Sequence, residues 1–285
     1  MPRLKLSSIW IVVLFYLLFT LVLCAIWDVK YLQTLIFWRP RLIVLIFILF
    51  RTLLLKTRFR AQISLIDALL VYFLLGSFYT ETAHLNTLLF AKWDSYLDMA
   101  DMWMFGFQPA LLFSKVLNHG LFSELMFMGY FSYYLMPLAT FVVVWVNRKV
   151  HFEKVSFIIL TSFFLYYVLF ILMPAEGPQY FYAFPHNQIE AKGVFAFLVK
   201  QIQLLGEAPT AAFPSSHVGV SVIILLILSK HKLMLFWILL PFVIILCFST
   251  VYIKAHYAVD VFAGLISAPL ILKLSSYIYS KLKLQ

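Results

Sequence analysis

The chain has 285 residues, of which 64% are hydrophobic and only 12% are charged, and its mean hydropathy is +0.96. A soluble domain of this length needs a charged exterior, so the composition excludes one and indicates a polytopic membrane protein. A formal net charge of +10 would suggest nucleic-acid binding in a soluble protein. In a membrane protein it is the expected excess of cations in the inner loops, so we expect no nucleic-acid partner.

Apolar runs long enough to cross the ~30 Å hydrocarbon core of a bilayer recur along the whole chain. In chain order they cover roughly residues 8–27, 40–55, 63–80, 121–146, 155–173, 215–229, 233–253 and 257–279. The second run is the weakest, because Arg51 interrupts it near one end. We therefore predict an all-α polytopic membrane protein of about eight transmembrane helices.

Two segments between these runs are expected to form interfacial helices. Residues 84–118 and 191–205 mix large apolar side chains with spaced polar ones, as amphipathic helices in the membrane interface do. In the first segment, Asp94, Asp98 and Asp101 have the spacing of a single helix face. We interpret these carboxylates as solvating an interfacial helix; the alternative is that they bind a polyol headgroup.

The distribution of charge predicts the topology. With the N-terminus in the cytoplasm, the inner segments are short and basic, and the outer segments carry nearly all the acids, as the positive-inside rule requires. The inner cations are Arg3, Lys5, Lys56, Arg58, Arg60, Arg148, Lys149, Lys154, Lys230, Lys232, Lys281 and Lys283. Both termini are then cytoplasmic, and segments 28–39, 81–120, 174–214 and 254–256 lie on the extracytoplasmic side, periplasmic or lumenal.

The stretch 211–219 contains the first candidate catalytic residue. It reads Ala-Ala-Phe-Pro-Ser-Ser-His-Val-Gly and opens the sixth apolar run. Pro214 fits the first turn of a helix, and Ser215 and Ser216 can help to satisfy its free amides. The N-terminal amides and the helix dipole make an anion site. His217 then lies within reach of a bound anion.

The stretch 249–264 contains the second candidate, His256, with Asp260 four residues later. On a helix the two would share one face, so that the carboxylate accepts the imidazole Nδ1 proton and leaves Nε2 as a nucleophile. Because the chain crosses inward through the sixth run and returns through the seventh, His217 and His256 end on the same outer side. A single histidine at a membrane helix end is usually a packing residue, but this pair in this setting favours a catalytic site.

A metal site is not predicted. Glu81 and His84 have the Glu-x-x-His spacing of carboxylate metal sites, but such sites need a second copy on another helix. No second copy is apparent in the sequence.

The motif Pro214-Ser215-Ser216-His217, together with His256-x-x-x-Asp260, resembles the second and third motifs of the type-2 phosphatidic acid phosphatase superfamily. In that superfamily these motifs are Pro-Ser-Gly-His and Ser-Arg-x5-His-x3-Asp, on a core of six spans. The resemblance implies two N-terminal transmembrane helices in residues 1–60. It implies a six-helix catalytic core in residues 61–285, with outer interfacial segments at 81–120 and 174–214.

The chain departs from the superfamily pattern at informative positions. Ser216 replaces the glycine of the second motif, and Thr250 replaces the arginine of the third. The first motif, Lys-x6-Arg-Pro, is missing from its expected place at 173–181. These departures are similar to the inositol phosphorylceramide synthase branch, with its Phe-Pro-Ser-x-His and Thr-x-Tyr-Leu-x-x-His-Tyr-x-x-Asp motifs, although Ile253 stands in place of the leucine.

The resemblance implies a mechanism without metal or cofactor. His256 attacks phosphorus to form a phosphohistidine, His217 protonates the leaving alkoxide and then serves as base, and Asp260 orients His256. The implied ligands of the substrate are Ser215, Ser216, Lys254, Gln179 and Tyr180.

The resemblance also implies the class of reaction. The leading hypothesis is transfer of a phosphoinositol-like headgroup from a phospholipid donor to a ceramide-like lipid alcohol, because a singly charged phosphodiester needs fewer cations than a phosphomonoester. The first alternative is a lipid phosphate phosphatase that hydrolyses phosphatidate or an isoprenyl pyrophosphate. The second is a non-catalytic lipid transporter, for which the transmembrane spans alone would suffice. The oligomeric state stays open.

Overall fold

The structure is a computed structural model that describes residues 7–56, 62–147, 149–182, 189 and 192–283. Five of the cations used to predict the topology lie outside the described residues, namely Arg3, Lys5, Arg58, Arg60 and Arg148. Every regular element in the described ranges is helical, which confirms the all-α fold class.

The described residues form twelve α-helices and one short 3-10 helix. They are α1 Ser8–Ile26, the 3-10 helix Lys30–Gln33, α2 Leu35–Leu54, α3 Ile63–Leu85, α4 Asp94–Phe105, α5 Pro109–Val116, α6 Gly120–Val146, α7 Phe152–Leu172, α8 Pro178–Phe181, α9 Val194–Gly206, α10 Ser216–Lys230, α11 Leu235–Tyr252 and α12 Ala258–Lys283. Six of them, α1, α3, α6, α7, α11 and α12, are long and apolar enough to cross a bilayer. The chain is therefore an integral membrane protein.

The other two predicted spans fall on α2 and α10, which do not meet the same criteria. Helix α2 has 20 residues, but Arg39, Arg41 and Arg51 make it too polar. Helix α10 is apolar, but it has only 15 residues, or about 22 Å at 1.5 Å per residue. That is shorter than the ~30 Å apolar core of a bilayer.

Helix α10 is the central element of the packing around the site. It contacts α6, α7, α11 and α12, and two glycines allow the close approach. A Cβ at Gly219 would collide with the hydroxyl of Tyr166 on α7. A Cβ at Gly264 of α12 would lie 2.7 Å from the backbone oxygen of Ser215. The start of α10 therefore packs directly against the first turns of α12.

Two buried ion pairs join α2 to α3. Arg41 Nη2 lies 2.6 Å from Glu81 Oε1, and Arg51 Nε lies 3.0 Å from each oxygen of Asp67. The indole of Trp10 on α1 also donates to Asp67, at 2.9 Å. Charges that would be costly in an apolar interior are thus neutralised in pairs. Glu81, considered above for a metal site, is bound to arginine instead.

Candidate active site

His217 and His256 meet at one end of the helix bundle. The distance from His256 Nε2 to His217 Nδ1 is 3.2 Å, and the ring planes are inclined by 70°. His217 is the second residue of α10, and His256 lies in the turn between α11 and α12. The structure therefore brings together the two imidazoles that the sequence motifs single out.

The second ring nitrogen of His256 binds a backbone carbonyl. His256 Nδ1 lies 2.6 Å from the oxygen of Ala212 and 3.4 Å from Asp260 Oδ2. Because a carbonyl oxygen only accepts hydrogen bonds, Nδ1 carries the proton and Nε2 keeps its lone pair. That is the tautomer a nucleophile needs. The proton acceptor expected at this place was Asp260, and the structure shows Ala212 instead.

Asp260 has a different set of contacts because His256 is not on a helix. Helix α12 begins at Ala258, so the helical i, i+4 geometry assumed from the sequence does not apply. The Asp260 carboxylate turns back and accepts the backbone N–H of Tyr257 at 2.7 Å, as an acid in the first turn of a helix commonly does. It still lies within ionic range of His256 and can stabilise a positive charge on that ring.

His256 is held in its neutral form. Its side chain is 2% exposed, and burial lowers the pKa of His256 to about 4, against opposing effects of the Ala212 carbonyl and Glu207. A charged ring loses more hydration on burial than a neutral one, which is the physical cause of the shift. At neutral pH the ring is therefore unprotonated at Nε2.

Tyrosines of α6 enclose His217. Its ring lies 4.7 Å from that of Tyr130 and 4.2 Å from that of Tyr133, measured between centroids, with Tyr134 further away at 6.4 Å. The tyrosine rings pack against the faces of the imidazole. Its edge, where Nδ1 lies, points toward His256. The rotation of His217 is therefore limited by packing.

Ser215 and Ser216 directly precede His217 in the chain, and both are buried. The Ser215 hydroxyl accepts the N–H of Val218 at 3.4 Å and so caps α10, and its own N–H donates to the carbonyl of Asp260 at 3.1 Å. The hydroxyl of Ser216 bonds to the side chain of Tyr133. Ser215 thus fixes the start of α10 relative to α12, and Ser216 fixes it relative to α6. A direct contact of either hydroxyl with substrate stays a prediction.

Lys254 and Gln179 bring two loops of the site together. The backbone N–H of Gln179 donates to the carbonyl of Lys254 at 2.9 Å. Next to it, Gly177 has φ +90° and a Cβ there would lie 2.6 Å from the Ala255 carbonyl, so only glycine fits. The Lys254 side chain is buried, which lowers its pKa. Tyr180, the residue after Gln179 in α8, is exposed.

Glu207 is a residue of the site that the sequence motifs do not identify. It follows α9 directly, and its carboxylate accepts from the Gln179 side-chain amide at 2.6 Å. Burial raises the pKa of Glu207 against the effect of that hydrogen bond, and the carboxylate and His256 influence each other's charge. Nothing in its spacing marks it, because the segment after α9 has no periodic pattern.

The three acids of α4 are not a solvated face, and that interpretation is wrong. Asp101 is 0% exposed and accepts the N–H groups of Ala258 and Val259, each at 2.9 Å. Asp94 is 3% exposed and accepts the backbone N–H groups of Glu176 and Gly177. Asp98 accepts a hydrogen bond from the hydroxyl of Tyr182. Asp94 and Asp101 face inward because buried amides need acceptors.

The family model described as the PAP2 superfamily matches residues 97–274 of the chain, which include every residue of the histidine site. No curated protein and no solved structure matches the chain.

Proposed function

Because this chain belongs to the PAP2 superfamily, the type-2 phosphatidic acid phosphatases, we propose that it transfers a phosphorylated headgroup from a phospholipid to a lipid alcohol. Membership supports a lipid phosphatase or phosphotransferase kind of function. The observation that carries the proposal is the 3.2 Å contact between His256 Nε2 and His217 Nδ1, with the proton of His256 fixed on Nδ1 by Ala212. The donor we favour carries a phosphoinositol-like headgroup, and the acceptor is ceramide-like.

The first step forms a bond between His256 Nε2 and phosphorus and breaks the bond from phosphorus to the diacylglycerol oxygen. For this step His217 carries a proton on both ring nitrogens; it gives one to the departing alkoxide and becomes neutral, while Asp260 stabilises the cationic His256 ring. In an in-line displacement the phosphorus lies between nucleophile and leaving oxygen. The direct contact of His256 with His217 therefore opens when a phosphodiester enters.

The second step reverses the roles. His217 takes the proton from the hydroxyl of the acceptor, whose oxygen forms a bond to phosphorus as the bond to His256 breaks. The product is a new phosphodiester, and both imidazoles return to their starting protonation state. With water as acceptor the same steps would hydrolyse the donor.

The charges around the histidines favour a phosphodiester over a phosphomonoester. Thr250 occupies the position where the superfamily has an arginine, and the buried Lys254 has a lowered pKa. Glu207, which influences the charge of His256, adds a carboxyl group to the site. A dianionic monoester would be repelled by that carboxylate about twice as strongly as a monoanionic diester, since the interaction scales with charge.

Burial of the nucleophile favours a lipid alcohol over water as acceptor. His256 is 2% exposed, and its ring is bordered by His217, Asp260 and the carbonyl of Ala212. A site enclosed in this way limits access of water to the phosphorylated histidine. We also infer that the site faces the extracytoplasmic side, with both termini in the cytoplasm, on the basis of the charge distribution.

The test uses the purified chain in lipid nanodiscs with phosphatidylinositol plus ceramide, and separately with phosphatidate alone. We expect a new inositol-containing sphingolipid from the first and little free phosphate from the second. His256→Ala should abolish the transfer, and His217→Ala should lower it by about 10²–10⁴-fold, the usual contribution of a general acid and base. A phosphoinositol adduct on the peptide that contains His256 should be trapped by rapid quenching.

His231→Ala is the matched control, because His231 caps the opposite end of the same helix α10 and is exposed. It should retain full activity. Free phosphate from phosphatidate without transfer product would replace this proposal by the phosphatase. Lipid movement that survives both His217→Ala and His256→Ala would replace it by a transporter.

A further inference from the structure

Helix α4 lies across the loop that contains His256. Asp101 accepts the N–H groups of Ala258 and Val259 with one carboxylate oxygen each, both at 2.9 Å. These two amides lie between His256 and Asp260 and belong to the start of α12, where the first N–H groups have no partner within the helix. One side chain thus fixes the orientation of two consecutive peptide units beside the nucleophile.

Asp94 lies seven residues earlier on the same face of α4. It connects a second loop to the turn that contains His256. Its Oδ1 accepts the N–H of Gly177 at 2.9 Å, and its Oδ2 accepts that of Glu176 at 3.0 Å. The hydroxyl of Tyr257, the residue after His256, also donates to Asp94 Oδ1, at 3.2 Å. The loop before α8 and the turn before α12 are therefore connected through one carboxylate.

Among the residues that the structure describes, none makes such a contact with the opposite face of α4. Tyr96, Met99 and Trp103 lie there at helical spacing, and Trp103 is 87% exposed. Aromatic and Met side chains of this kind suit the membrane interface. The helix therefore has two distinct sides, one bound to the histidine loop and one directed outward.

We propose that Asp101 and Asp94 are positioning residues that hold the segment from His256 to Asp260 at the separation from His217 that phosphoryl transfer requires. The expected effect of these acids on the rate of transfer rests on the proposed function. Their effect on the position of the His256–Asp260 segment rests on the hydrogen bonds alone. Neither acid touches the reacting atoms. Asp101 acts through the backbone amides of Ala258 and Val259. Asp94 acts through the amides of Glu176 and Gly177 and the hydroxyl of Tyr257.

Asp101→Asn tests this directly, because an asparagine has one acceptor oxygen and can satisfy only one of the two amides. The expected result is a fall in kcat of about 10²-fold, since displacement of a catalytic group by about 1 Å costs that much, with KM changed less than twofold. Asp101→Glu keeps both acceptor oxygens and should retain more of kcat than Asp101→Asn. It also provides a folded variant if the asparagine variant does not fold.

Asp98→Asn is the matched control, since Asp98 lies on the same face of the same helix and binds the hydroxyl of Tyr182, away from the histidine turn. Asp98→Asn should lower kcat by less than about threefold. Each asparagine variant weakens one buried hydrogen bond, so the melting temperatures of Asp98→Asn and Asp101→Asn should be similar. A purely structural role would give all these variants equal losses of kcat and stability, and that result would overturn the inference.

A second readout does not depend on turnover. Ring-proton NMR of His256 and hydrogen exchange of the Ala258 and Val259 amides are measured in the wild-type chain and in Asp101→Asn. We expect the His256 titration midpoint to rise and both amides to exchange faster in the variant. If the wild type shows no transfer product, the proposed reaction fails while this measurement still decides the positioning role. Unchanged titration and exchange would overturn it.

Discussion

The N-terminal helices and the histidine site both bury carboxylates, but they satisfy them differently. Between α2 and α3, Asp67 and Glu81 are each paired with an arginine. Around the histidines, Asp94 and Asp101 accept backbone N–H groups from loops. An arginine neutralises charge and joins two side chains, whereas backbone amides supply partial positive charge and fix the path of the chain.

The difference teaches that the two regions have different requirements. The helices of the first region need only stay together, and a buried ion pair does this. The second region must place two imidazoles within hydrogen-bond distance, and bonds to the backbone control that position without bringing a cation beside His256. A cation there would disfavour the positive charge that the ring would acquire in the proposed reaction.

The largest expected effect comes from breaking an ion pair in the first region. Arg41→Ala leaves the carboxylate of Glu81, which is 0% exposed, without its charged partner. Removing one partner of a buried pair costs about 3–5 kcal/mol, so the melting temperature in detergent should fall steeply. The activity per folded molecule should not change, because the site is held by other contacts.

The double variant Arg41→Met with Glu81→Met is the control for that measurement. It removes both charges and should recover most of the lost stability, because an apolar pair of similar volume can replace a buried ion pair. If the double variant is no more stable than Arg41→Ala, the pairing of charge is not what joins α2 to α3.

A smaller effect on stability, with a larger one on activity, is expected in the second region. In Gly264→Ala the new Cβ lies 2.7 Å from the backbone oxygen of Ser215, so the start of α10 must move. Overpacking of this kind costs about 1–3 kcal/mol. His217 moves with α10, so we expect transfer activity to fall by at least about 10²-fold, as measured in nanodiscs beside thermal unfolding.

Gly76→Ala is the matched control, since a Cβ at that helical glycine meets nothing within 4 Å. It should leave both activity and melting temperature unchanged or slightly raised. Equal losses of activity in the two alanine variants would contradict the close packing of α10 on α12.

The smallest expected effect is that of mild acid on the nucleophile. Since burial lowers the pKa of His256 to about 4, its Nε2 is unprotonated above that pH and gains a proton as the pH falls through it. Between pH 7 and pH 5 we expect less than about a twofold fall in kcat/KM, whereas a histidine with a pKa of about 6.5 would give about 25-fold. The measurement is a pH profile of transfer, with circular dichroism to check folding. An acid limb near pH 6.5 would show that the ring is solvated.

Much of the helical framework could be predicted from the sequence because membrane spans have a strong compositional signal. The six long helices fall on predicted apolar runs, since a bilayer demands length and hydrophobicity in the same segment. Two of the predicted spans have only one of these two properties. Helix α10 is apolar but short, and α2 is long but carries arginines whose acidic partners lie on another helix.

The side chains of the site were predictable to the extent that they belong to sequence motifs. His217 and His256 stand in such motifs, and the structure brings them together. The contacts of Asp101 and Ala212 could not be predicted, because backbone amides and carbonyls occur at every position and leave no signature in the sequence. An amphipathic pattern likewise does not show whether its polar face meets water or a buried loop.

The carbonyl of Ala212 has a consequence for both rings of the pair. It requires the proton of His256 on Nδ1, so His256 Nε2 accepts and His217 Nδ1 must donate. A single peptide oxygen thereby sets the tautomers of two imidazoles in series and leaves His217 Nε2 open to a further proton. Since that oxygen belongs to the main chain, no exchange of the residue 212 side chain removes it. The position of the backbone at Ala212 therefore determines which nitrogen of each histidine carries a proton.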